Sequence, residues 1–323
     1  SYLTPALLSA SSEQYLYMSA AGYRDMDEPE LVDQTDPETV FTALSDSSRI
    51  EILQALREIG GTATFSELRE AVGTRDSGKF NYHLDKLVGQ FVTRTDAGYE
   101  LTQAGKQIHG AIEAGAYTVT ATIEPIELAT PCPVCGGSRT LSYADETVTV
   151  DCDSCAAVAA FGVPPSVFAD CDREAIPDIA GRYLRTTFRK ITSGFCPFCD
   201  GPIEPTVRPI SEAFDGHLED TGNDLAAQPD DIPHVEYDCT QCGATPTGGL
   251  GLVCFDHPAV VSFYYNRGVD VQEESIWNGI GFPPDRQTIR ATDPLEAAVS
   301  YTADGESITV VVDETLDVVA IEQ

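Results

Sequence analysis

Four C-x-x-C pairs in the second half of the chain constrain its fold more than any other feature. Sixteen residues separate the first two pairs and 39 separate the last two. Two such pairs can bring four thiolates together, which is the ligand set of a tetrahedral structural zinc site. The sequence therefore predicts two structural zinc ions per chain. Their ligands would be Cys132, Cys135, Cys152 and Cys155 for one ion, and Cys196, Cys199, Cys239 and Cys242 for the other.

The two sets of pairs form an internal repeat. Each begins with C-P-x-C, and the sequences around the closing pairs, VTVDCDSC and VEYDCTQC, match each other. Alternating apolar residues at 141–143 and 148–150 predict the hairpin of a zinc ribbon between the first two pairs. An acidic insertion at about residues 211–233 accounts for the longer second gap. The repeat therefore favours sequential pairing of the cysteines.

Two other uses of paired cysteines fit this pattern less well. Disulfides are typical of exported proteins, and residues 1–20 lack the basic and apolar regions of a signal peptide. A thioredoxin-like redox site would use one lone pair in a βαβ context. A catalytic zinc ion keeps an open coordination position, whereas four cysteines per ion leave none. We find no phosphate loop or nucleophile elbow either, so we do not expect an enzyme.

The remaining cysteines and two histidines are not matched between the repeats. Cys254 and His257 have ligand spacing, but the other cysteines are already assigned, so we expect Cys171 and Cys254 to be packed side chains. His217 lies in the acidic insertion and His234 lies just before the last pair. Neither histidine has an equivalent in the first repeat, and we predict neither as a ligand.

Residues 75–101 carry the second strong pattern. Apolar residues recur at helical spacing and predict a helix that packs by one face; they are Phe80, Leu84, Leu87 and Val88. The opposite face carries cations and a tyrosine, as a helix that enters the DNA major groove requires. Two β-prone runs around Asp96-Ala97-Gly98 predict a following hairpin. The candidate DNA contacts are Arg75, Lys79, Asn81, Tyr82, Lys86 and, on the hairpin, Arg94. His83, at the edge of the apolar stripe, is expected to be a packed histidine.

Capping signals place further helices around this pattern. Asp36-Pro37 and Asp46 predict two helix starts, and Gly60-Gly61 predicts the end of the second helix. Residues 64–67 read T-F-S-E, a capping box. Thr102 predicts the start of a last helix, with Ala104, Ile108 and Ile112 on one face and an end at Gly115.

The run GKFNYHLDKL, followed by a hairpin and GYELTQAGKQI, resembles the winged helix-turn-helix of ArsR-like archaeal regulators over about residues 37–115. This resemblance implies sequence-specific binding to double-stranded DNA and a homodimer paired through the last helix. Similar proteins of salt-loving archaea join an ArsR-like domain to a cysteine-paired C-terminal half. The thiol pair that metal sensors of this group place near the recognition helix is missing here.

One alternative to a DNA-binding regulator remains open. A winged helix with a zinc ribbon is also similar to the archaeal α-subunit of factor E, which implies a general transcription adaptor that acts through protein contacts. Sequence-specific DNA binding without polymerase would separate the regulator from the adaptor.

The charge of the chain is compatible with DNA binding only because of its distribution. The net charge is −33, with 15 Arg and 4 Lys, which is typical of adaptation to a salt-rich cytoplasm. Residues 41–115 contain 8 basic and 10 acidic residues, a net charge of −2, so the other 248 residues carry −31. At molar salt the Debye length is about 3 Å, so close contacts outweigh distant repulsion.

The rest of the chain completes an α+β interpretation. Residues 117–128 predict a strand or connector. A helix follows with apolar residues 179–191 and the cations Arg182, Arg185, Arg189 and Lys190. These cations are either a second nucleic-acid contact or a solvated helix side paired with carboxylates, and the acidity of the chain favours the second. A helix that includes Val260, Phe263, Tyr264 and Trp277 is expected to pack in a core or a dimer, or to line a small pocket.

Residues 298–302, 307–312 and 318–322 predict a three-stranded antiparallel meander. The expected organisation is a tail of uncertain status at 1–34, a winged helix-turn-helix domain at 35–115, a first zinc ribbon with its helix at 116–194, and a second ribbon, helix and meander at 195–323. No run of 18 apolar residues occurs, so we expect no membrane span and a cytoplasmic protein.

Overall fold

A computed structural model describes residues 36–155, 158–169, 171–210, 232–278 and 286–323. The chain divides into two compact units, Ser1–Gln107 and Ile108–Gln323. The predictions for the tail at 1–34, for most of the acidic insertion and for His217 lie outside the described residues. Within the described ranges, no helix is long and apolar enough to cross a bilayer.

The first unit contains helices whose starts follow the predicted caps. Helices α1 (Pro37–Thr42), α2 (Ser47–Glu58) and α3 (Phe65–Ala71) begin after Asp36, Asp46 and Thr64. Both hydrogen bonds of the capping box between Thr64 and Glu67 are present. Gly60 and Gly61, with φ of +110° and +99°, follow the end of α2. Helix α5 (Gln103–Glu113), which contains the boundary between the two units, begins after Thr102, whose hydroxyl accepts a hydrogen bond from the N–H of Gly105.

A small antiparallel sheet accompanies helix α4 (Ser77–Asp85). Strands β2 (Val92–Thr95) and β3 (Gly98–Leu101) form a hairpin, and β1 (Thr62–Ala63) pairs with the other edge of β3. The sheet order is β1-β3-β2. Gly98 lies so close to β1 that a Cβ atom there would be 2.3 Å from the carbonyl oxygen of Ala63. Glycine is therefore required where the hairpin turn meets β1.

Helix α1 has no buried side chain: Phe41 is 65% exposed, and Ala43, just after the helix, is the buried residue of this segment. One prediction about the first unit is wrong in detail. Helix α4 ends at Asp85, so Leu87 and Val88 lie in the turn that follows it rather than on its apolar stripe. Leu87 is still fully buried. Leu87 therefore enters the core from the turn and not from the helix, and its predicted burial is confirmed.

The second unit begins with a four-stranded antiparallel sheet, in the order β4-β5-β6-β7. Its strands are β4 (Ile123–Glu127), β5 (Arg139–Ala144), β6 (Thr147–Cys152) and β7 (Val158–Gly162). The hairpin β5–β6 is the predicted one, and alternate side chains, including Leu141 and Val148, are buried. The second set of cysteines is attached to β8 (Ile203–Pro209), β9 (Pro233–Cys239) and β10 (Thr247–Gly249). These three strands form another antiparallel sheet.

Helix α6 (Ile176–Thr192) buries one face of its length in this unit. The expectation that its cations pair with carboxylates is confirmed for three of them: Arg185 and Arg189 pair with Asp256, and Lys190 pairs with Asp200. The expectation that these cations lie on a solvated side is wrong for Arg185, which is only 6% exposed. Burial is possible because the Asp256 carboxylate and the carbonyl of Val271 accept its hydrogen bonds.

Aromatic residues after the second cysteine set pack in the core. Helix α7 (Leu250–Val253) precedes α8 (Pro258–Tyr265), where Phe263 and Tyr264 are buried. Trp277 is also buried, but it lies in a 3₁₀ turn (Ile276–Asn278) and not in the helix as predicted. Its indole N–H donates to the carbonyl of Pro177 at 2.7 Å. Core packing, one of the uses expected for these aromatics, is therefore confirmed.

The C-terminal sheet has four strands rather than the three predicted. Strands β12 (Leu295–Ala303), β13 (Glu306–Val312) and β14 (Val318–Glu322) form the predicted antiparallel meander. An additional strand, β11 (Gln287–Thr292), pairs with the free edge of β12. The sequence QTIRAT is too polar to stand out as a strand, which is why this strand was not predicted.

One hydrophobic core runs through the second unit. Its buried members come from the first cysteine sheet, helix α6, the second cysteine sheet, α7, α8 and the C-terminal sheet. Both cysteine sets are therefore attached to the same core. The described residues form a mixed helix-and-sheet protein with antiparallel sheets.

Candidate functional site

The eight paired cysteines form two compact clusters, with the sequential pairing that the repeat predicted. In the first cluster the Sγ atoms of Cys132 and Cys155 are 3.7 Å apart, and those of Cys135 and Cys152 are 3.4 Å apart. In the second, the corresponding distances are 3.7 Å between Cys196 and Cys242 and 3.5 Å between Cys199 and Cys239. The first cysteine lies next to the fourth and the second next to the third in both clusters.

These distances match a metal centre and not a set of disulfides. All four sulfur atoms of each cluster lie within 4.8 Å of one another. A tetrahedral site with zinc–sulfur bonds of about 2.3 Å has sulfur–sulfur edges of about 3.8 Å. A disulfide bond would need about 2.05 Å, and none of the ten cysteines forms one. Each cluster could therefore hold one metal ion, with four sulfur ligands and no open position.

The backbone turns at the C-x-x-C pairs repeat between the clusters. The residue four positions after the first cysteine of a pair has positive φ in three of the pairs: Gly136 (+78°), Asp200 (+61°) and Gly243 (+72°). In each turn the N–H of this residue donates to the carbonyl of that first cysteine, at 2.8, 3.1 and 3.0 Å. This conformation folds the chain back on itself, so that both sulfur atoms of a pair point to one side.

A glycine two residues after each opening pair makes room for the closing pair. A Cβ atom on Gly137 would be 2.7 Å from Ser154, and one on Gly201 would be 2.6 Å from Gln241. Ser154 and Gln241 occupy the same place in the two closing pairs. The two pairs of each cluster are therefore packed backbone against side chain, independently of any bound ion.

Backbone N–H groups favour the ionised form of one cysteine in each cluster. The N–H of Ser154 is the main cause that lowers the pKa of Cys152 to about 7. The N–H of Cys242 does the same for Cys239 and lowers its pKa to about 6. Cys152 and Cys239 are equivalent in the repeat. A metal ion binds the thiolate form, so each cluster offers one ligand that is prepared for it.

The other cysteines and histidines do not join these clusters. Among the described residues, the two cysteine sets are the only groups with metal-ligand geometry. Cys254 is buried, as predicted, and burial raises the pKa of its thiol to about 12. Cys171 is half-buried and donates to the carbonyl of Phe168. His234 is buried, and burial lowers its pKa to about 4.

The predicted cationic face of α4 is exposed. Lys79 and Lys86 are exposed side chains, and Tyr82 is 57% exposed. The ammonium group of Lys86 lies 5.8 Å from the centre of the Tyr82 ring. Arg75 is exposed as well, but it precedes the helix, which begins after the cap Asp76. The face therefore presents separate cations around one aromatic side chain.

Asp85 is a residue of this surface that the sequence interpretation missed. Its carboxylate accepts a hydrogen bond from the side-chain amide of Asn81 at 2.7 Å and lies 3.9 Å from the guanidinium of Arg94. Arg94 also donates to the Tyr99 hydroxyl at 2.8 Å. Two of the predicted DNA contacts are thus linked to one acid. The spacing of four residues between Asn81 and Asp85 on a helix was the available signal.

His83 lies on the inner side of α4 and is 6% exposed, as expected for a packed histidine. Its Nδ1 atom is 3.7 Å from the Asp46 carboxylate that caps α2. This contact connects two helices of the first unit.

The fold and the clusters define a protein of mixed helices and antiparallel sheets with two four-cysteine sites that could hold metal ions. Residues 129–318 match the family described as Domain of unknown function (DUF7351), and this match covers more than half of the chain. The chain therefore belongs to the DUF7351 family. Residues 37–112 match a second family, Domain of unknown function (DUF7347). No curated protein matches the sequence.

Proposed function

We propose that this protein is a DNA-binding transcriptional regulator, in which residues 36–113 act as a winged helix-turn-helix and two zinc ions stabilise the second unit. The order of elements supports the first part of the proposal. Helix α2, the short strand β1, helices α3 and α4, and the β2–β3 hairpin follow one another in the order that is typical of winged-helix domains. In this arrangement α4 is the recognition helix and β2–β3 is the wing.

The observation that carries the proposal is the exposed face of α4. Its apolar side, Phe80 and Leu84, is buried, whereas Lys79, Tyr82 and Lys86 are exposed. Exposed cations on a short helix contact phosphates and base edges in the major groove, and a tyrosine adds a hydrogen-bonding group. These side chains are not part of the buried core of the first unit, so they are available to contact a ligand.

The half-buried face of α5 supports a homodimer as the DNA-binding form. Ile108 and Ile112 lie on this face, and the only fully buried residue of the helix is Gly105. An incompletely covered apolar face at the end of a DNA-binding domain suits pairing with a second copy. A symmetric dimer would read two half-sites.

Zinc is the metal we assign to both clusters. Four thiolates in tetrahedral order are the ligands of structural zinc sites, and the sulfur atoms already have suitable spacing. The ion would hold two short backbone turns together, whereas catalysis would require an open position. We therefore assign the second unit a structural role in assembly or sensing.

The decisive experiment is selection of bound DNA from a random library by the full chain, at molar KCl and at low salt. We expect a defined, symmetric sequence that binds in both conditions. Recovery of random sequences only, by a folded protein with both zinc ions, would contradict sequence-specific DNA binding.

A second function, a transcription adaptor, is favoured by aromatic side chains on the second cluster. Phe198, inside the C-P-F-C pair, is 76% exposed, and Phe195, just before it, is 54% exposed. Exposed aromatics next to a metal site suit contacts with another protein. An adaptor would bind polymerase subunits through these residues and would select no DNA sequence alone. Replacing both phenylalanines with serine would remove the polymerase contact but leave DNA selection by a regulator intact.

A further inference from the structure

Arg139 is a buried cation beside the first cysteine cluster. It is 7% exposed and begins strand β5, where it is the cross-strand partner of Cys152. Its guanidinium donates to the carbonyl of Thr130 at 3.0 and 3.2 Å, to the hydroxyl of Thr130 at 2.6 Å, and to the carbonyl of Trp277 at 2.7 Å. All of these acceptors are neutral.

No carboxylate balances this charge within the described part of the chain. None of the ion pairs there includes Arg139. An arginine cannot lose its proton in a protein, and a buried charge without a counter-charge costs several kcal/mol. The other buried arginine, Arg185, has the carboxylate of Asp256. Arg139 therefore needs a negative charge of another kind.

The cysteines of the first cluster are the candidates for that charge. Burial lowers the pKa of Arg139, and negative charge on Cys132 and Cys152 acts in the opposite direction. A divalent ion bound by four thiolates carries two negative charges in net. Such a centre, once filled, is an anion at the border of a hydrophobic core. A nearby cation stabilises this negative charge, just as a nearby anion stabilises the buried guanidinium.

The second cysteine module, the second cluster with strands β8–β10, has no such cation at the equivalent place. Ile203 faces Cys239 in the same register in which Arg139 faces Cys152, and Ile203 is buried as well. Lys190 reaches this module, donating to the carbonyl of Pro197, but its ammonium group is paired with Asp200 at 2.5 Å. The two clusters thus have the same ligands and backbone turns but different charges beside them.

We propose that Arg139 is the counter-charge of the first metal centre, and that it connects occupancy of this centre to the packing of Trp277. The proposal deepens the assignment of two zinc ions and rests on it. The guanidinium binds the Trp277 carbonyl, and the Trp277 indole binds Pro177 at the start of α6 and stacks on Phe161, with ring centroids 6.3 Å apart. When the ion leaves the first cluster, the thiolates take up protons and become neutral thiols. Arg139 then loses most of the negative charge that balances it, and the contacts of Trp277 loosen. Loss of the second ion has no such effect.

The test uses the full chain loaded with Zn²⁺ and titrated with EDTA. At each step, native mass spectrometry counts the ions, N-ethylmaleimide labels the cysteines that are released, and peptide mapping assigns them to a cluster. In the unmodified protein we expect the second cluster to be labelled at lower EDTA concentration than the first. Emission of Trp277, the single tryptophan of the chain, should change only when the first cluster is labelled.

Two substitutions of Arg139 and one matched control complete the design. Arg139→Met removes the charge and keeps the length, and we expect it to weaken Zn²⁺ retention by the first cluster about 10- to 100-fold, the usual effect of removing a group that supports metal ligands. Arg139→Lys keeps the charge and should restore most of this retention while changing Trp277 emission. Ile203→Met, at the equivalent place of the second cysteine module, should leave the first cluster unchanged.

Each outcome of this test either supports or contradicts the proposal. Equal retention by the first cluster in the Met variant and the unmodified protein would overturn the proposal, and so would equal weakening of both clusters. If the Met variant does not fold, the Lys variant and the order of release in the unmodified protein still test it, and earlier release of the first ion would contradict it. Failure of the unmodified protein to bind Zn²⁺ would instead contradict the metal centres themselves.

Discussion

At the scale of single residues, the exposed face of α4 gives the most direct test of DNA binding. Lys79→Ala or Tyr82→Ala should each weaken specific binding by about 1–3 kcal/mol, because each removes a contact to base or phosphate. Neither side chain is buried, so the thermal unfolding of the first unit should not change. Binding is measured by fluorescence anisotropy on the selected sequence at molar KCl. Unchanged affinity in both variants would show that α4 is not the reading helix.

Asp85 lies on the same surface, and its negative charge should weaken DNA binding, whereas Lys79 and Tyr82 should strengthen it. It holds Asn81 and lies close to Arg94, and its carboxylate faces any phosphate that approaches Arg94. Asp85→Asn removes this negative charge, so we expect tighter binding to random DNA and a smaller ratio of specific to random affinity. Glu58→Gln, which removes an exposed acid at the end of α2, is the control for net charge. Equal effects of the two substitutions would mean that the position of Asp85 is unimportant.

Asp256 is the residue whose ionisation should matter most for the stability of the second unit. Burial alone would raise its pKa, but hydrogen bonds from Arg189 and Arg185 outweigh burial and hold the pKa of Asp256 below its usual value. A depressed pKa in the folded state stabilises the protein above the unfolded pKa, and this contribution is lost as pH falls through the folded pKa.

The matching substitution is Asp256→Asn. It leaves Arg185 buried without its carboxylate, at an expected cost on the order of 3 kcal/mol. It should also flatten the acid limb of the stability curve, measured by urea unfolding between neutral and acidic pH. A variant with the same acid limb as the unmodified protein would contradict the role of Asp256.

At the scale of elements, the starts of helices could be predicted, whereas several ends and edges could not. Asp36, Asp46 and Thr64 were identified from sequence because a cap acts on backbone groups two or three residues away. The end of α4 at Asp85 depends instead on how Leu87 enters the core. The burial of Arg185 depends on Asp256, 71 residues later in the chain, and no local pattern contains that partner.

The two cysteine modules, each a cluster with its strands, show the same contrast. Features set by neighbouring residues could be predicted, and contacts between distant residues could not. The grouping of the cysteines followed from spacing and repeat, and the two clusters confirm it. The charge beside the first cluster did not follow. The sequence R-T-L-S-Y does put Arg139 on the inward face with Leu141 and Tyr143, so an inward-facing arginine was the signal. Its acceptors on Thr130 and Trp277 appear only when the chain is folded.

A glycine substitution tests whether the two turns of a cluster must touch. Gly137→Ala places a Cβ atom 2.7 Å from Ser154, so the closing pair has to move away from the opening pair. We expect loss of the first zinc ion and retention of the second, measured by native mass spectrometry. Gly136→Ala is the matched control, since a Cβ atom there meets nothing within 4 Å although its φ of +78° is strained. If both variants lose the ion equally, backbone strain and not crowding limits the site.

At the scale of the whole molecule, the charge distribution predicts a weak dependence of DNA binding on salt. The cations offered by the first unit are few, and we expect roughly two to four phosphates to be neutralised per subunit. Each contributes about −0.9 to the slope of log K against log salt, so the slope per subunit should be modest. A slope several times steeper would point to a cationic surface elsewhere. Arg182, an exposed cation of α6, would then be substituted first.

Removal of metal should affect the second compact unit and leave the first unchanged. All ten cysteines lie in the second unit, between Cys132 and Cys254, and none lies in Ser1–Gln107. Without ions, the cysteines of each cluster take up protons, and the short turns lose the metal–sulfur bonds that hold them. Because both clusters are attached to one core, chelation should unfold the sheets they belong to and weaken that core.

Hydrogen exchange followed by mass spectrometry measures this effect segment by segment. After chelation we expect fast exchange in β5–β6 and β8–β9 and unchanged protection in α2 and α4, which belong to the first unit. Cys152→Ser should expose the first module and lose one ion, whereas Cys254→Ser should keep both. Both experiments start from untreated protein, which should contain two ions per chain. Protection that survives chelation in both modules would mean that their glycine-packed turns fold without metal, and the ions would then not be structural.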